Sequence, residues 1–301
     1  MKLSHSIDLT GLGVHTGIPS QVSLRLRPEA IGEPRFHLPG FTLPVSPKDL
    51  ADLGRKVSRS TLLEGSNATV RTPEHLLAAL LFFPGWPVDI ELTGPEFPVL
   101  DGSALPYLHA LRELGSSRSD LPEPGWREYP SNLEWDHNWT SKDGFSGFIR
   151  VRPAARFRVR YELEYPPLKE TYELVDPESA LWEVLPARTF ILHHQFQEAK
   201  QTGILLQGAN AGSGLLLSET SQEHEHILMD HPEWAGNLFP LLNEQTWRME
   251  AEPVKHKVLD LLGDLAILGL RLPKVSVEIR NGGHSVHHLL LDKLRSGEGI
   301  D

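Results

Sequence analysis

Along residues 20–28, SQVSLRLRP, apolar and polar positions alternate with the period of two that marks a half-buried strand. At 72–83, TPEHLLAALLFF, the period becomes helical, with Thr72 reading as the N-cap and Pro73 as the first helical residue. VDIELTG at 88–94 returns to strand alternation. In the second half GFIRVRP and RFRVRYELEY, within 147–165, read as two strands paired with each other. EPVKHKVLDLLGDLAILGL at 252–270 reads as a long apolar helix leading into the strand KVSVEIR at 274–280. Between the halves, GSSRSDLPEPGWREYPS at 115–131 collects Gly, Ser, Pro and charges without a sustained period and reads as a linker. Each half thus offers an apolar helix, a strand and a polar turn, which predicts an α+β fold of two related halves. The boundaries are residues 1–118 and 132–301, joined by 119–131. QGANAGSGLLLSET at 207–220 is rich in Gly and Ser, and 221–250, acidic with scattered Trp and Leu, carries no pattern that assigns an element.

A chain of 301 residues with 40% hydrophobic content can bury a sizeable core. Its net charge of -11 argues against a nucleic-acid surface, and any anionic ligand needs a local basic site. With no cysteine, disulfides and thiolate ligation are excluded, and a metal would have to be held by Asp, Glu or some of the 15 histidines. The first residues, MKLSHSIDLTGLGVHTG, lack the apolar region of a secretory signal, so a cytoplasmic location is expected. LLAALLFF at 76–83 falls short of the roughly 20 residues that cross a bilayer.

Three clusters could carry chemistry. On the 252–270 helix His256 and Asp260 share a face, and Asp264 follows one turn on. A single buried His or Asp is ordinarily a satisfied core group, and Lys255 or Lys257 could supply a partner. Three on one stripe are harder to dismiss, because an unpaired buried carboxylate costs several kcal/mol. The second cluster is Glu74 and His75. Glu74 could merely complement the helix dipole, but adjacent helical residues diverge by about 100°, so one can bind a metal while the other faces water beside it. His75, His256 and Asp260 plus a water would complete a tetrahedral zinc site, with Glu74 placed to take the water's proton. Third, the glycines before His284 in NGGHSVHH allow a tight turn, where an exposed imidazole would suit general acid work. Taken alone, His284 reads more simply as a solvated surface residue beside His287 and His288. GLGVHTG, which contains His15, lacks the strand, turn and helix context of a dinucleotide fingerprint.

Taken together, GLGVHTG, TPEHLLAAL, PEFPVLDGSALPY, LPARTF, HKVLDLLGDLAILG and GGHSVHHLL stand in the order and spacing of one family. From about residue 5 to 292 the chain resembles the UDP-3-O-acyl-N-acetylglucosamine deacetylases, zinc amidases of lipid A biosynthesis. The resemblance implies two α+β domains, each a small sheet packed against a helix pair, with the active site in the cleft between them. It implies zinc on His75, His256 and Asp260, and Glu74 as general base. His284 would be the general acid, with Asp264 hydrogen-bonded behind it. Thr189 would donate its hydroxyl to the oxyanion, and Lys257, Phe190 and His15 would contact the sugar nucleotide. An insertion at about 191–220 would form an apolar passage for the acyl chain. The donor set would accept iron(II) as well as zinc. A monomer near the membrane, without crossing it, is expected.

Three departures bear on the substrate. The family's usual Lys-Ser before the Gly-His turn reads Asn281-Gly282, the usual GGSFDNAIV region reads QGANAGSGLLL, and VSRSTLL at 57–63 lacks the family's common cysteine. They motivate a second reading, a diverged metal-dependent N-deacetylase acting on another acetamido sugar. A third, a non-catalytic zinc-stabilised binding protein, gives no reason for Glu74 and His284.

Overall fold

The computed structural model describes residues 6–57, 59–141, 144–202, 207–210, 212–244 and 246–296. The architecture is α+β, as expected. In the first half a four-stranded sheet runs in the order Ser6–Leu12, Pro19–Leu26, Val88–Leu92, Arg35–His37. The alternation read at 20–28 is what seats it, since Ser20, Val22 and Leu24 are buried while their neighbours are not. A three-stranded sheet follows, of Gly54–Val57, Ser60–Glu64 and Thr69–Arg71.

The second half carries a five-stranded sheet in the order Leu168–Leu174, Arg158–Tyr165, Val275–Arg280, Ser146–Pro153, Trp135–Thr140. This corrects the expected pairing of the strands within 147–165. They are not partners: Val275–Arg280 lies between them, antiparallel to Ser146–Pro153 and parallel to Arg158–Tyr165. Alternation states which face of a strand is buried but not which strand lies beside it.

Other boundaries also differ. Thr72 does not cap the helix that follows it, which runs Glu74–Leu80 with Pro73 at the N-cap; Thr72 sits at φ +58° and its hydroxyl donates to Glu96 Oε1 at 2.8 Å. The long helix spans Glu252–Leu265 and tightens to a 3-10 turn at Ala266–Leu268 before Gly269. Within the expected linker, Arg127–Tyr129 forms a strand parallel to Arg271–Pro273. The unassigned stretch holds a helix, Ser221–Asp230, whose N-cap Thr220 accepts from Glu223 N. The expected insertion contributes the parallel strands Phe190–Leu192 and Leu215–Leu217 and the helix His193–Thr202. Its residues 203–206 and 211 lie outside the described residues.

What positions the site is a helix crossing. Gly263 faces Glu74, and a Cβ at Gly263 would come within 2.2 Å of the Glu74 carbonyl oxygen. Glycine therefore lets the Glu252–Leu265 helix lie directly on the wholly buried Glu74–Leu80 helix. The His256 and Asp260 stripe is thereby brought against Glu74 and His75.

The start of the long helix is tied down by Glu252, which is fully buried and accepts from Arg188 N, Nε and Nη2 and from Arg248 N at 2.7–3.1 Å. Burial alone would raise its pKa, but the hydrogen bonds from Arg188 and Arg248 outweigh it and hold the carboxyl below the usual range. Glu252→Gln should cost about 1–3 kcal/mol of stability at neutral pH, because the buried Arg188 loses its closest carboxylate and keeps only Glu244 Oε1, at 3.3 Å, among the described ion-pair partners. The folded pKa lies below the unfolded one, so this contribution is complete above the ordinary glutamate range and is lost as pH falls through the folded pKa. Denaturant titrations should therefore show the gap between the two proteins narrowing in acid; a gap constant with pH would contradict this ion pair.

Candidate active site

His75, His256 and Asp260 each bring one ligand atom within 4.8 Å of the others, and all three are buried. Asp260 Oδ1 is 3.2 Å from His256 Nε2 and 4.0 Å from His75 Nε2. Two ligands on one tetrahedral zinc stand about 3.3 Å apart, so the trio is near metal-holding spacing. His256 Nδ1 lies 3.0 Å from the Ala187 carbonyl oxygen, and donating there leaves the Nε2 lone pair facing Asp260. Burial, reinforced by His256, pulls His75 down to about 3, which keeps it in the neutral form that ligates. At Asp260 burial works the other way, but Lys257 and His256 outweigh it and keep the carboxylate ionised. Among the described residues the buried Nδ1 of His75 has no hydrogen-bond partner. Two imidazoles and a carboxylate, converging with ligand atoms within 4.8 Å of one another, fit a divalent cation. Lys257, the cation a purely structural reading requires, is also present: its Nζ donates to Asp260 Oδ2 at 2.9 Å, leaving Oδ1 toward the imidazoles.

Beside the trio stands a carboxylate–imidazole pair. Glu74 Oε1 is 3.8 Å from His284 Nε2, and Glu74 Oε2 accepts a long bond of 3.4 Å from Thr61 N. Burial is the main cause that lifts Glu74 to about 8. A cation on the neighbouring trio would favour its ionised form.

His284 is not the exposed turn residue expected; it opens the helix His284–Ser296 and is only 9% exposed. Asn281 at φ +53° and two glycines make the turn, and a Cβ on Gly282 would sit 2.7 Å from the Tyr161 hydroxyl. His284 Nδ1 donates to Asp264 Oδ2 at 2.8 Å, leaving Nε2 toward Glu74 and toward Asp260 Oδ2 at 3.7 Å. Burial disfavours the imidazolium, yet Asp264, Asp260 and Glu74 together push His284 up to about 10.

Sequence reasoning missed what holds Asp264. His287 Nδ1 donates to the same Oδ2 at 2.8 Å, while the Thr61 hydroxyl donates to Oδ1 at 2.6 Å. Tyr161 and His288 stand behind these, 3.0 Å from His287 Nε2 and 2.7 Å from Thr61 Oγ1. His287 and His288 are buried, not surface histidines. The only signal for His287 was its place one helical turn after His284; for Thr61 and Tyr161 there was none.

A cavity of about 630 Å³ opens over the site. From the first half it is lined by His15, Glu74 and His75, and from the second by Thr189, Phe190, Lys257, Asp260 and His284. His256 and Asp264 lie behind that wall. Glu96, fully buried, accepts from the backbone N–H groups of His15 and Thr16 and so fixes the GLGVHTG loop at the cavity. Thr189 is held from both sides, its N–H on Gly102 O and its carbonyl on Leu215 N, both at 2.7 Å. Its lining includes Ile191, Phe196, Leu216 and Trp234, which belong to one apolar cluster, and Leu215; Trp234 lies beyond the expected insertion. Among the described residues no helix is long and apolar enough to cross a membrane.

Fold and site together define a hydrolytic enzyme of α+β architecture, with a two-histidine, one-aspartate trio next to a buried carboxylate and imidazole. The chain belongs to the UDP-3-O-acyl N-acetylglycosamine deacetylase family, whose sequence model matches residues 1–234 and 237–296. It is 32% identical over 297 residues to the UDP-3-O-acyl-N-acetylglucosamine deacetylase of a Synechocystis species, covering 96% of this chain and 95% of that one. The enzyme of the same name from Wolinella succinogenes is 29% identical over 301 residues, covering 98% of this chain and 90% of its own. That from Thermosynechococcus vestitus is 32% identical over 271 residues, with 89% and 84% covered.

Proposed function

We propose that the protein removes the acetyl group from the 2-amino group of UDP-3-O-acyl-N-acetylglucosamine in lipid A biosynthesis, using zinc held by His75, His256 and Asp260. The observation that carries this reading is Glu74 and His284 facing each other beside the trio, 3.8 Å apart. Zinc held by these three residues would supply Lewis acidity toward the amide carbonyl. Glu74 takes a proton from the attacking water as the new C–O bond forms. His284 delivers a proton from Nε2 to the departing nitrogen as the C–N bond breaks, giving acetate and the free amine. Asp264 holds the imidazole by Nδ1 and stabilises its protonated form. The Thr189 hydroxyl donates to the oxyanion, while Lys257, Phe190 and His15 contact the sugar nucleotide. The acyl chain lies against the apolar cluster of the cavity lining. The reading is of a cytoplasmic monomer working near the membrane, its domains residues 1–118 and 132–301; the same donors would accept iron(II).

The test is mass-spectrometric detection of acetyl loss from UDP-3-O-acyl-N-acetylglucosamine by metal-stripped protein, with and without added zinc. Zinc-dependent loss is expected. Zinc binding without turnover would favour the diverged N-deacetylase, and turnover of non-nucleotide acetamido sugars would identify it. The observation favouring that alternative is Asn281: its side chain bonds Glu164 N, Glu164 O and Ser146 O, which leaves it committed to the fold.

A further expected result concerns the acid. His284→Gln should keep zinc and lose about 10²-fold in kcat, measured by acetate release. A kcat within threefold of the parent would remove His284 from that role.

A further inference from the structure

We propose that Arg59 binds the diphosphate of the sugar nucleotide, an assignment that rests on the substrate class proposed above. In a chain of net charge -11, a diphosphate needs a cation at the cavity itself. Among the described residues lining the cavity, two carry a permanent positive charge, Arg59 and Lys257. Lys257 is engaged, with Nζ on Asp260 Oδ2 at 2.9 Å and over the Phe190 ring at 5.2 Å. Arg59 has no described carboxylate oxygen within 4.0 Å. Among the described residues its side-chain hydrogen bonds go to Gln195 Oε1, at 3.4 and 3.5 Å, the outer limit for such a bond.

The backbone points the same way. Val57 and Ser60 pair at the end of the hairpin of Gly54–Val57 and Ser60–Glu64, and Arg59, in its connection, stands at φ +65°. A hairpin position at positive φ favours glycine or asparagine, because a Cβ crowds the backbone. An arginine placed against that preference, lining the cavity and with no described carboxylate oxygen within 4.0 Å, although Glu198 is near enough to favour its charged form, is a local conflict of the kind found at functional sites. The planar fork of N–H donors matches phosphate oxygens two at a time. It supplies a cation on a cavity where Asn281 cannot.

The competing role is structural: Arg59 and Gln195 could strap the hairpin to the helix His193–Thr202. The test uses the zinc-loaded enzyme, its Arg59→Gly, Arg59→Lys and Gln195→Ala variants, and UDP and uridine as probes in calorimetry. UDP has no acetamide, so its binding reports on Arg59 independently of deacetylation. Arg59→Gly should bind UDP about 10-fold or more weakly, as loss of charged hydrogen bonds implies, and bind uridine as the parent does. Its KM for the acylated UDP-sugar should rise in parallel, while its thermal midpoint should not fall, because glycine suits the turn. Arg59→Lys should be intermediate, and Gln195→Ala should bind UDP like the parent. UDP affinity within twofold of the parent in Arg59→Gly would overturn the proposal. So would a loss of equal size in Gln195→Ala. If the parent binds UDP through Arg59 but releases no acetate, the deacetylase reading falls and this one stands; turnover indifferent to Arg59→Gly gives the reverse.

Discussion

Glu74→Gln is expected to bind zinc as fully as the parent and to turn over about 10³–10⁴-fold more slowly. Glutamine keeps the shape of the side chain but cannot take a proton at neutral pH, so the substitution removes the base and little else. Glu74 is not one of the three converging ligands, so metal content should be unchanged. Its carboxylate accepts a long bond from Thr61 N and stands 3.8 Å from the His284 ring, and a glutamine of the same shape disturbs little packing. The magnitude is the upper part of what a positioned acid or base contributes. Metal analysis alongside acetate release under saturating substrate decides the matter. A variant with full zinc and turnover within tenfold of the parent would remove Glu74 from the mechanism.

His256→Ala should show the opposite pairing: metal and turnover lost together. His75 and Asp260 alone leave two donors, too few to retain zinc through dialysis. Asp260 keeps its partner in Lys257 at 2.9 Å, so the carboxylate is not stranded. The fold should survive with a loss of about 1–3 kcal/mol, since the Ala187 carbonyl oxygen loses its donor in a buried site. Dialysed protein should carry no stoichiometric zinc, with circular dichroism like that of the parent. One equivalent of zinc retained would place the metal elsewhere.

Much of this site was readable before any coordinates, because it is written in local periodicity. His256, Asp260 and Asp264 fall on one stripe whenever their segment is helical, and Glu74 and His75 diverge from one another for the same reason. The motifs that carry the family resemblance are spread along almost the whole chain, and the family assignment agrees with them. The resemblance, not periodicity, joined Thr189 and His15 to the others, and both line the same cavity.

What the chain determines by itself is which face of each element is apolar and which side chains share it, since backbone geometry sets the periods of two and 3.6. The tertiary structure alone decided which elements became neighbours. It slid Val275–Arg280 between two strands that looked like a hairpin, and it made Thr72 a donor to Glu96 rather than a cap. It laid two buried helices together at Gly263, the contact that turns two separate motifs into one site. It also collected Thr61, Tyr161 and His287 around Asp264, from three distant parts of the chain. A buried carboxylate must find donors wherever packing delivers them, and no local pattern records which residues those will be.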